Sequence, residues 1–377
     1  MESIGPNFRQ NHLPQVTVFA EANEEPEIML SVSEHASNDA KMGVQQADTP
    51  VVHALTCDVE AWFHAHNLRI PSPVWPSLPT RLERLIPAIL DKLDDVSIKA
   101  TFFVLGDAAQ RHQSLIREIA LHGHEVACHG WLHEPLYQLT PEAFRQDVLR
   151  CRGYLEDVTG QAIVGYRAPA YSVTPKTAWA LSILAELGFA YDSSIYPVVS
   201  PHGRYGWNGI SRAPHPLPAA DGGFSGLWEF PLPIMKFGPR RIPALTGGYL
   251  RLYPLAMSRR ALNALQADGL PAILNFHPWE LDTREGRVAP EARALVDKHG
   301  RMTRFGKWLH FQGTARTWPR LEALVAGRRF QRVVDLLNDR RMVASGRQSK
   351  TEHSLLPHPI PSLAARPGSD KAEAEAP

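Results

Sequence analysis

The chain has 377 residues, 44% of them hydrophobic and 21% charged, with a formal net charge of +1. That is enough apolar material for one large domain or two ordinary ones, and the near-neutral balance gives no field for nucleic acid or an anionic membrane. Three cysteines exclude a disulfide framework, and no window approaches the ~18 uncharged apolar residues of a transmembrane helix.

The N-terminus, MESIGPNFRQNHLPQ, has no apolar core of signal-peptide length, so the expected compartment is the cytoplasm. Residues 1–50 are polar and acidic with little periodicity, and the last stretch, 341–377, is rich in Pro, Ser and Ala. Both read as disordered tails. Between them strands and helices alternate. Val51 to Thr56 is a strand that runs into Cys57-Asp58-Val59-Glu60. Leu82, Leu85, Ile86, Ile89, Leu90 and Leu93 then recur at helical spacing, with Pro87 expected to kink or restart the helix. Ile98 to Leu105 is a second strand, Ser114 to His122 a helix closed by Gly123, and Val126 to Cys128 a third strand. Thr140-Pro141 opens a helix with a capping hydroxyl and a first-turn proline, and Gly160 ends it. Ile163 to Tyr166 is a strand, Thr174-Pro175 opens another helix, and Phe189 to Tyr191 leads to Asp192. A long Pro/Gly-rich passage follows, then a helix over Ser258 to Ala267 and a strand over Ala272 to Phe276 that ends at His277.

This alternation predicts an α/β fold with a parallel sheet, in which chemistry gathers at the carboxyl ends of the strands. Asp58, Glu60, His129, Arg167, Asp192 and His277 all fall at or just past predicted strand ends. His129 and His133 are four apart, so a helical turn would bring both imidazoles to one metal ion. Gly130 stands where a zinc-protease helix has its glutamate, so the base must come from elsewhere. Asp58 and Glu60, two apart at a strand end, share a face. One carboxylate with two imidazoles makes a catalytic zinc-type site, and the second carboxylate is free to act as base. His277 could protonate a leaving group, Arg167 could hold a carboxylate ionised, and Asp192 could orient His277. The parts together describe metal-assisted hydrolysis of an amide or ester. Each also has a plainer reading: solvated strand-end carboxylates, a structural arginine, a turn-capping Asp192, a loop histidine. Glu280 and Asp282 read as solvated or structural.

The segments ALTCDVE, KATFFVLG, GHEVACHGWLH, GYRAP, YDSS and NFHPWE resemble, in order, the polysaccharide deacetylase family, also called the NodB homology domain. The forms DVE, RAPAYS, DSSIYP and FHPWELD are similar to the branch associated with exopolysaccharide biosynthesis loci. The resemblance implies a distorted (β/α) barrel of about seven parallel strands over residues 51–340, with a branch-specific portion from about residue 278. It implies a divalent metal, most often zinc, a glycan substrate, and association with a polysaccharide synthesis complex. Residue by residue it makes Asp58 the base, and Glu60, His129 and His133 the metal ligands. Arg167 becomes the tether of the base, and His277 the acid oriented by Asp192. The usual first motif has adjacent aspartates, whereas Val59 intervenes here and passes the metal carboxylate to Glu60. Ala170 stands where a tyrosine is common and would offer its backbone N–H to an oxyanion. Trp62, Trp131, Trp207, Trp228, Trp279 and Tyr171 are the aromatic candidates for stacking on a sugar ring, with Trp131 and Tyr171 nearest the motifs and the others readable as core. Two other functions fit the same residues: a hydrolase of small cyclic or linear amides, and a glycan-binding relative that has lost catalysis.

Overall fold

The computed structural model describes residues 50–68, 70–200, 202–219, 221–282 and 311–344. The chain alternates β1 (Val52–Val59), α1 (Leu82–Asp95), β2 (Thr101–Val104), α2 (Gly106–Arg111), α3 (Gln113–Leu121), β3 (Glu125–Cys128), α4 (Pro141–Thr159), β4 (Gly165–Tyr166), α5 (Trp179–Glu186) and β5 (Tyr191–Asp192). Then come β6 (His215–Pro218), β7 (Phe224–Glu229), β8 (Ile234–Phe237), β9 (Arg240–Pro243), α6 (Gly247–Leu252), α7 (Leu255–Ala267) and β10 (Ile273–Phe276). After the undescribed residues 283–310 follow α8 (Thr314–Val325), β11 (Arg329–Gln331) and α9 (Val333–Ala344). Among the described residues no helix is long and apolar enough to cross a membrane.

The main sheet has the order β10-β1-β2-β3-β4-β5-β7-β6. The seven strands from β10 to β7 are parallel, β6 closes the path antiparallel, and β11 adds parallel to the start of β1. The sheet is curled. Strand β4 is four positions from β10, roughly 19 Å away in a flat sheet. Yet Arg167, the residue after β4, donates from Nη1 to Asn275 Oδ1 on β10 over 2.9 Å. Only a barrel brings these strand ends within reach of one side chain. The bridge Thr246↔Asn275 extends the β10 edge, and the Tyr196 hydroxyl meets the Thr246 hydroxyl across the remaining gap.

Side-chain alternation divides two cores. Leu55, Cys57 and Val59 of β1 face the helix layer, with Phe102, Val104 and the α1 stripe Leu82, Ile86, Ile89, Leu90 and Leu93. Ala54, Phe103, Ala127 and Ile273 face the barrel interior and pack with Val333, Leu336 and Leu337 of α9. Thr56 and Asp58 lie on the same side of β1 as Ala54, so the interior turns polar towards the carboxyl ends of the strands.

Two expectations need correction, and a passage without predicted elements gains strands. Helix α1 runs uninterrupted through Pro87. The ring falls early, at the sixth helical position and half-buried, so the missing N–H costs one bond near a helix end. The Pro/Gly-rich passage holds strands β6 to β9. Helix α9 carries order through Ala344 because Leu336 and Leu337 are buried in the barrel floor. The rest of both expected tails lies outside the described residues, as does much of the expected branch-specific portion.

Candidate active site

Asp58, at the end of β1, is 2% exposed. Its Oδ1 accepts from Arg167 Nη1 at 2.8 Å and its Oδ2 from Asn275 Nδ2 at 2.9 Å. Burial opposes its ionisation, but the Arg167 charge, with His129 and His277 behind it, holds its carboxyl below the usual carboxylate range. Arg167 is fully buried. It donates from Nε to Ser193 O, from Nη2 to Ser193 Oγ, and from Nη1 also to Thr56 Oγ1, while its guanidinium lies 4.0 Å over the Phe103 ring. The arginine is thus a hub tying β4, β5, β1 and β10 together at their carboxyl ends.

Glu60, His129 and His133 form a cluster whose ligand atoms lie within 4.8 Å of one another. The expected helical turn is not what joins the two histidines. Residues 129–135 form an irregular loop in which Gly130 (φ 78°) and His133 (φ 57°) are left-handed. A left-handed residue reverses the local direction of the chain, which folds the second imidazole back onto the first, ring centroids 5.1 Å apart. His129 Nδ1 donates to the Arg167 carbonyl at 2.8 Å, which fixes the tautomer and turns Nε2 inward. Burial pushes the His129 pKa down to about 4, so the ring is neutral, as a metal ligand must be.

The donor set fits a divalent cation. His133 Nε2 stands 2.9 Å from Glu60 Oε2, yet that oxygen is buried and accepts no hydrogen bond, and His133 Nδ1 is likewise without a partner. A cation held between these two atoms would satisfy the buried oxygen. Asp58 Oδ2 stands 4.0 Å from His129 Nε2. The Asp58 carboxylate is at the edge of the cluster and committed to Arg167 and Asn275, so it stands outside the donor set.

His277 follows β10, with Nε2 3.7 Å from Asp58 Oδ2 and 3.5 Å from Glu60 Oε1. Burial disfavours its charge, but the Glu280, Glu60 and Asp58 carboxylates outweigh it and push the pKa up to about 9. The partner of its other nitrogen is Glu280, not Asp192. Glu280 Oε2 lies 3.1 Å from Nδ1 and accepts the His277 N–H at 3.0 Å, while Oε1 accepts from Arg251 Nε at 2.6 Å. Burial opposes it, yet His277 and Arg251 hold the fully buried Glu280 carboxyl at about 2. Of the two readings of Glu280, solvated is overturned and structural is made specific: the carboxylate holds both His277 and Arg251. Sequence reasoning also missed Asn275, which bridges Asp58, Arg167 and the Tyr171 hydroxyl, and it read Trp279 only as a stacking candidate, whereas its Nε1 donates to Glu60 Oε1 at 3.3 Å.

Asp192 is placed elsewhere. It is the register partner of Glu229 on the neighbouring parallel strand. Its Oδ1 accepts from Ser194 Oγ at 2.5 Å, and Glu229 Oε1 accepts from Ile195 N–H at 3.1 Å. No donor reaches the buried Asp192 Oδ2 or Glu229 Oε2, so a proton between the two carboxyls is what satisfies them. Burial raises Asp192 to about 6, and burial with the Asp192 charge raises Glu229 well above its ordinary value. The folded state therefore keeps protons that the unfolded chain releases. This stability is fully present below the ordinary carboxylate range and is lost as pH rises through about 6. Asp192→Asn, whose amide can donate permanently to Glu229, should flatten that loss. The urea midpoint should fall less between pH 5 and pH 8 in the variant than in the wild type, and equal falls would show that no such proton is held.

Trp131 is not a sugar platform. It is 6% exposed, with the Arg150 guanidinium 3.6 Å over its ring and Tyr154 at its edge. A Cβ on Gly106 would come within 2.2 Å of its ring, so that glycine makes the room for it. Ala170 and Tyr171, both at φ 54°, form a left-handed turn beside Arg167. Both are half-buried, and the Tyr171 hydroxyl accepts from Asn275 Nδ2 at 2.8 Å.

Residues 76–191 match the polysaccharide deacetylase family model, and residues 193–338 match a domain of unknown function, DUF3473. Residues 76–191 thus carry the polysaccharide deacetylase domain that the motifs lead one to expect. Among named relatives, it is 37% identical over 110 residues to the peptidoglycan deacetylase-like protein FGM2 of Gibberella zeae, covering 28% of this chain and 31% of that one. It is 32% identical over 83 residues to a peptidoglycan-N-acetylglucosamine deacetylase of Bacillus cereus (22% and 30% of the two chains). It is 30% identical over 115 residues to a chitooligosaccharide deacetylase of a Bradyrhizobium species (30% and 50%). The chain thus spans about a third of the length of the first two. A solved putative polysaccharide deacetylase from Mycobacterium smegmatis is similar with a TM-score of 0.49 and 24% identity, over 82% of this chain and 97% of that one. The family match ends at residue 191, so Ser193 and Asn275, which hold Arg167, and the His277–Glu280–Arg251 group come from beyond it.

Proposed function

We propose that the chain is a metal-dependent hydrolase that removes acetyl groups from an N-acetylated glycan. The observation that carries this is the placement of two proton-transfer groups beside one donor cluster: Asp58, kept ionised by Arg167, and His277, kept protonatable by Glu280. A family member with only the cluster could bind; one with both groups can also turn over. Glu60, His129 and His133 would hold the ion, and two imidazoles with one carboxylate suit zinc. When bound, such an ion supplies acidification of a water and polarisation of the acetyl carbonyl. Asp58 takes the proton of the attacking water. His277 delivers a proton to the departing amine, held in line through Nδ1 by Glu280. Water adds to the acetyl carbon, the C–N bond breaks, and acetate and a free amine leave. The motif forms DVE, RAPAYS, DSSIYP and FHPWELD support a setting in exopolysaccharide synthesis.

The test is acetate release from a panel of N-acetylated saccharides with and without chelator. Acetate should appear and should stop on chelation, while most of the fold survives, because the barrel core does not depend on the cluster. His129→Ala should lose its metal in elemental analysis. Full occupancy in that variant would remove His129 from the ligand set, and acetate release unaffected by chelation would remove the metal from the reaction.

A further inference from the structure

From Phe230 to Ala267 the chain carries six lysines and arginines and no aspartate or glutamate. The whole-chain balance of +1 conceals this local excess. Arg251 is buried and taken by Glu280. Three of the others stand on the β8–β9 hairpin, a two-stranded sheet of its own. Lys236, Phe237, Gly238, Pro239, Arg240 and Arg241 at its tip are all exposed. Phe237 is 61% exposed, more than any other aromatic ring among the described residues. Surface arginines elsewhere find acids, Arg145 with Glu186 and Arg212 with Asp268. Among the described residues no carboxylate is paired with Lys236, Arg240 or Arg241. The root of the hairpin is clamped and its tip overhangs. On one face Met235 and its register partner Ile242 pack into the main core. On the other, Ile234 packs with Tyr196, Val198 and Leu232. The Ala244 N–H donates to the Pro233 carbonyl at 3.0 Å and closes the root. Two residues further out the same faces carry Phe237 opposite Arg240 and Lys236 opposite Arg241, and Gly238, at φ 58°, opens the two-residue turn. Helix α7, on which β8 packs, adds the exposed Arg259 and Arg260.

An exposed aromatic ring among unpaired cations suits the boundary of an anionic bilayer. The ring enters below the headgroups, while the long basic side chains stay at the level of the phosphates. A soluble polyanion would engage the cations and leave Phe237 in water, so the ring favours lipid. We propose that the β8–β9 tip docks on the surface of an anionic phospholipid bilayer. Three cations and one ring make a reversible attachment, so the chain works there as a peripheral protein. This surface lies outside the catalytic residues, and the inference does not depend on the deacetylase reading.

The test is co-sedimentation of the full chain with vesicles of phosphatidylcholine alone and of equal parts phosphatidylcholine and phosphatidylglycerol, at low and at high salt. The wild type should partition onto the mixed vesicles, much less onto the neutral ones, and should come off as salt rises. Arg240→Gln with Arg241→Gln should lower that partitioning about 25-fold, about fivefold for each cation near the surface. Phe237→Ser should lower it about tenfold, the scale of withdrawing one ring from an apolar phase. Leu121→Ser removes an apolar side chain that is 80% exposed on another element and should change nothing. All the substituted side chains are exposed, so the urea midpoints should match the wild type. No partitioning of the wild type onto the mixed vesicles overturns the proposal, as does equal partitioning of the wild type and the double variant. Loss in the double variant with none in Phe237→Ser, together with retention of both the wild type and Phe237→Ser on dextran sulfate, would make the occupant a charged polymer and overturn the bilayer.

Discussion

Asp58→Asn should cut acetate release by ~100- to 10,000-fold, the usual contribution of a positioned base, while the metal stays bound. The reason lies in what each Asp58 oxygen does. Oδ1 takes the Arg167 hydrogen bond, which an amide oxygen can still accept. Oδ2 faces the cluster and His277, and here the amide offers a donor where a proton acceptor is needed. Asn275 cannot flip to compensate, because its Oδ1 is already held by Arg167 and Thr56. Two donors then face each other, at a stability cost of about 1–3 kcal/mol for the group left unsatisfied. Glu60, His129 and His133 are untouched, so elemental analysis should return the wild-type metal content. A variant with full metal and less than a tenfold loss in turnover would end the assignment of Asp58 as base.

Arg167→Ala should be the most damaging single change to the fold, at about 3–5 kcal/mol, the cost of stranding one partner of a buried ion pair. The side chain is fully buried, and its loss leaves Asp58 Oδ1 and the Ser193 carbonyl without their donor. Arg167→Lys should recover little, since one ammonium cannot replace a planar fork reaching three strands. The urea midpoint measures this, and a midpoint within 0.5 kcal/mol of wild type, the ordinary scatter of a surface change, would contradict the hub. In turnover, adding Arg167→Ala to Asp58→Asn should cost little more than Asp58→Asn alone, because the arginine acts on the reaction through that carboxylate.

The first half of the fold is legible in the sequence because its signals are local. The α1 stripe, the Thr140 cap that accepts the Ala143 N–H, and left-handed Gly160 at the end of α4 each sit within a turn of what they control. The candidate site residues Asp58, His129 and His277 are legible because each lies where the apolar run of its strand ends. What escapes has partners far along the chain. Glu280 reads as an acid behind His-Pro-Trp until Arg251, 29 residues earlier, is seen to bury it. Asn275 is one amide in an apolar strand, and its importance comes from Arg167, 108 residues away. Trp131 beside a metal-type histidine invites a sugar, and only Gly106 on another element shows that the ring points into the protein. Strands β6 to β9 lie among prolines and glycines, and they pair as two antiparallel couples, β6 with β7 and β8 with β9, that no apolar alternation marks.

Strand β1 pairs with β2 soon after both are made, but its other partners, β10 and β11, begin at Ile273 and Arg329. At ~5–20 residues per second of synthesis, one side of the first strand waits tens of seconds for its neighbour on the ribosome. During that interval an apolar strand edge, and Asp58 without Asn275, are open to whatever else is nearby. Closure of the ring is therefore a late event in the birth of the molecule, and the Asp58 carboxylate acquires its full set of partners only when that event occurs.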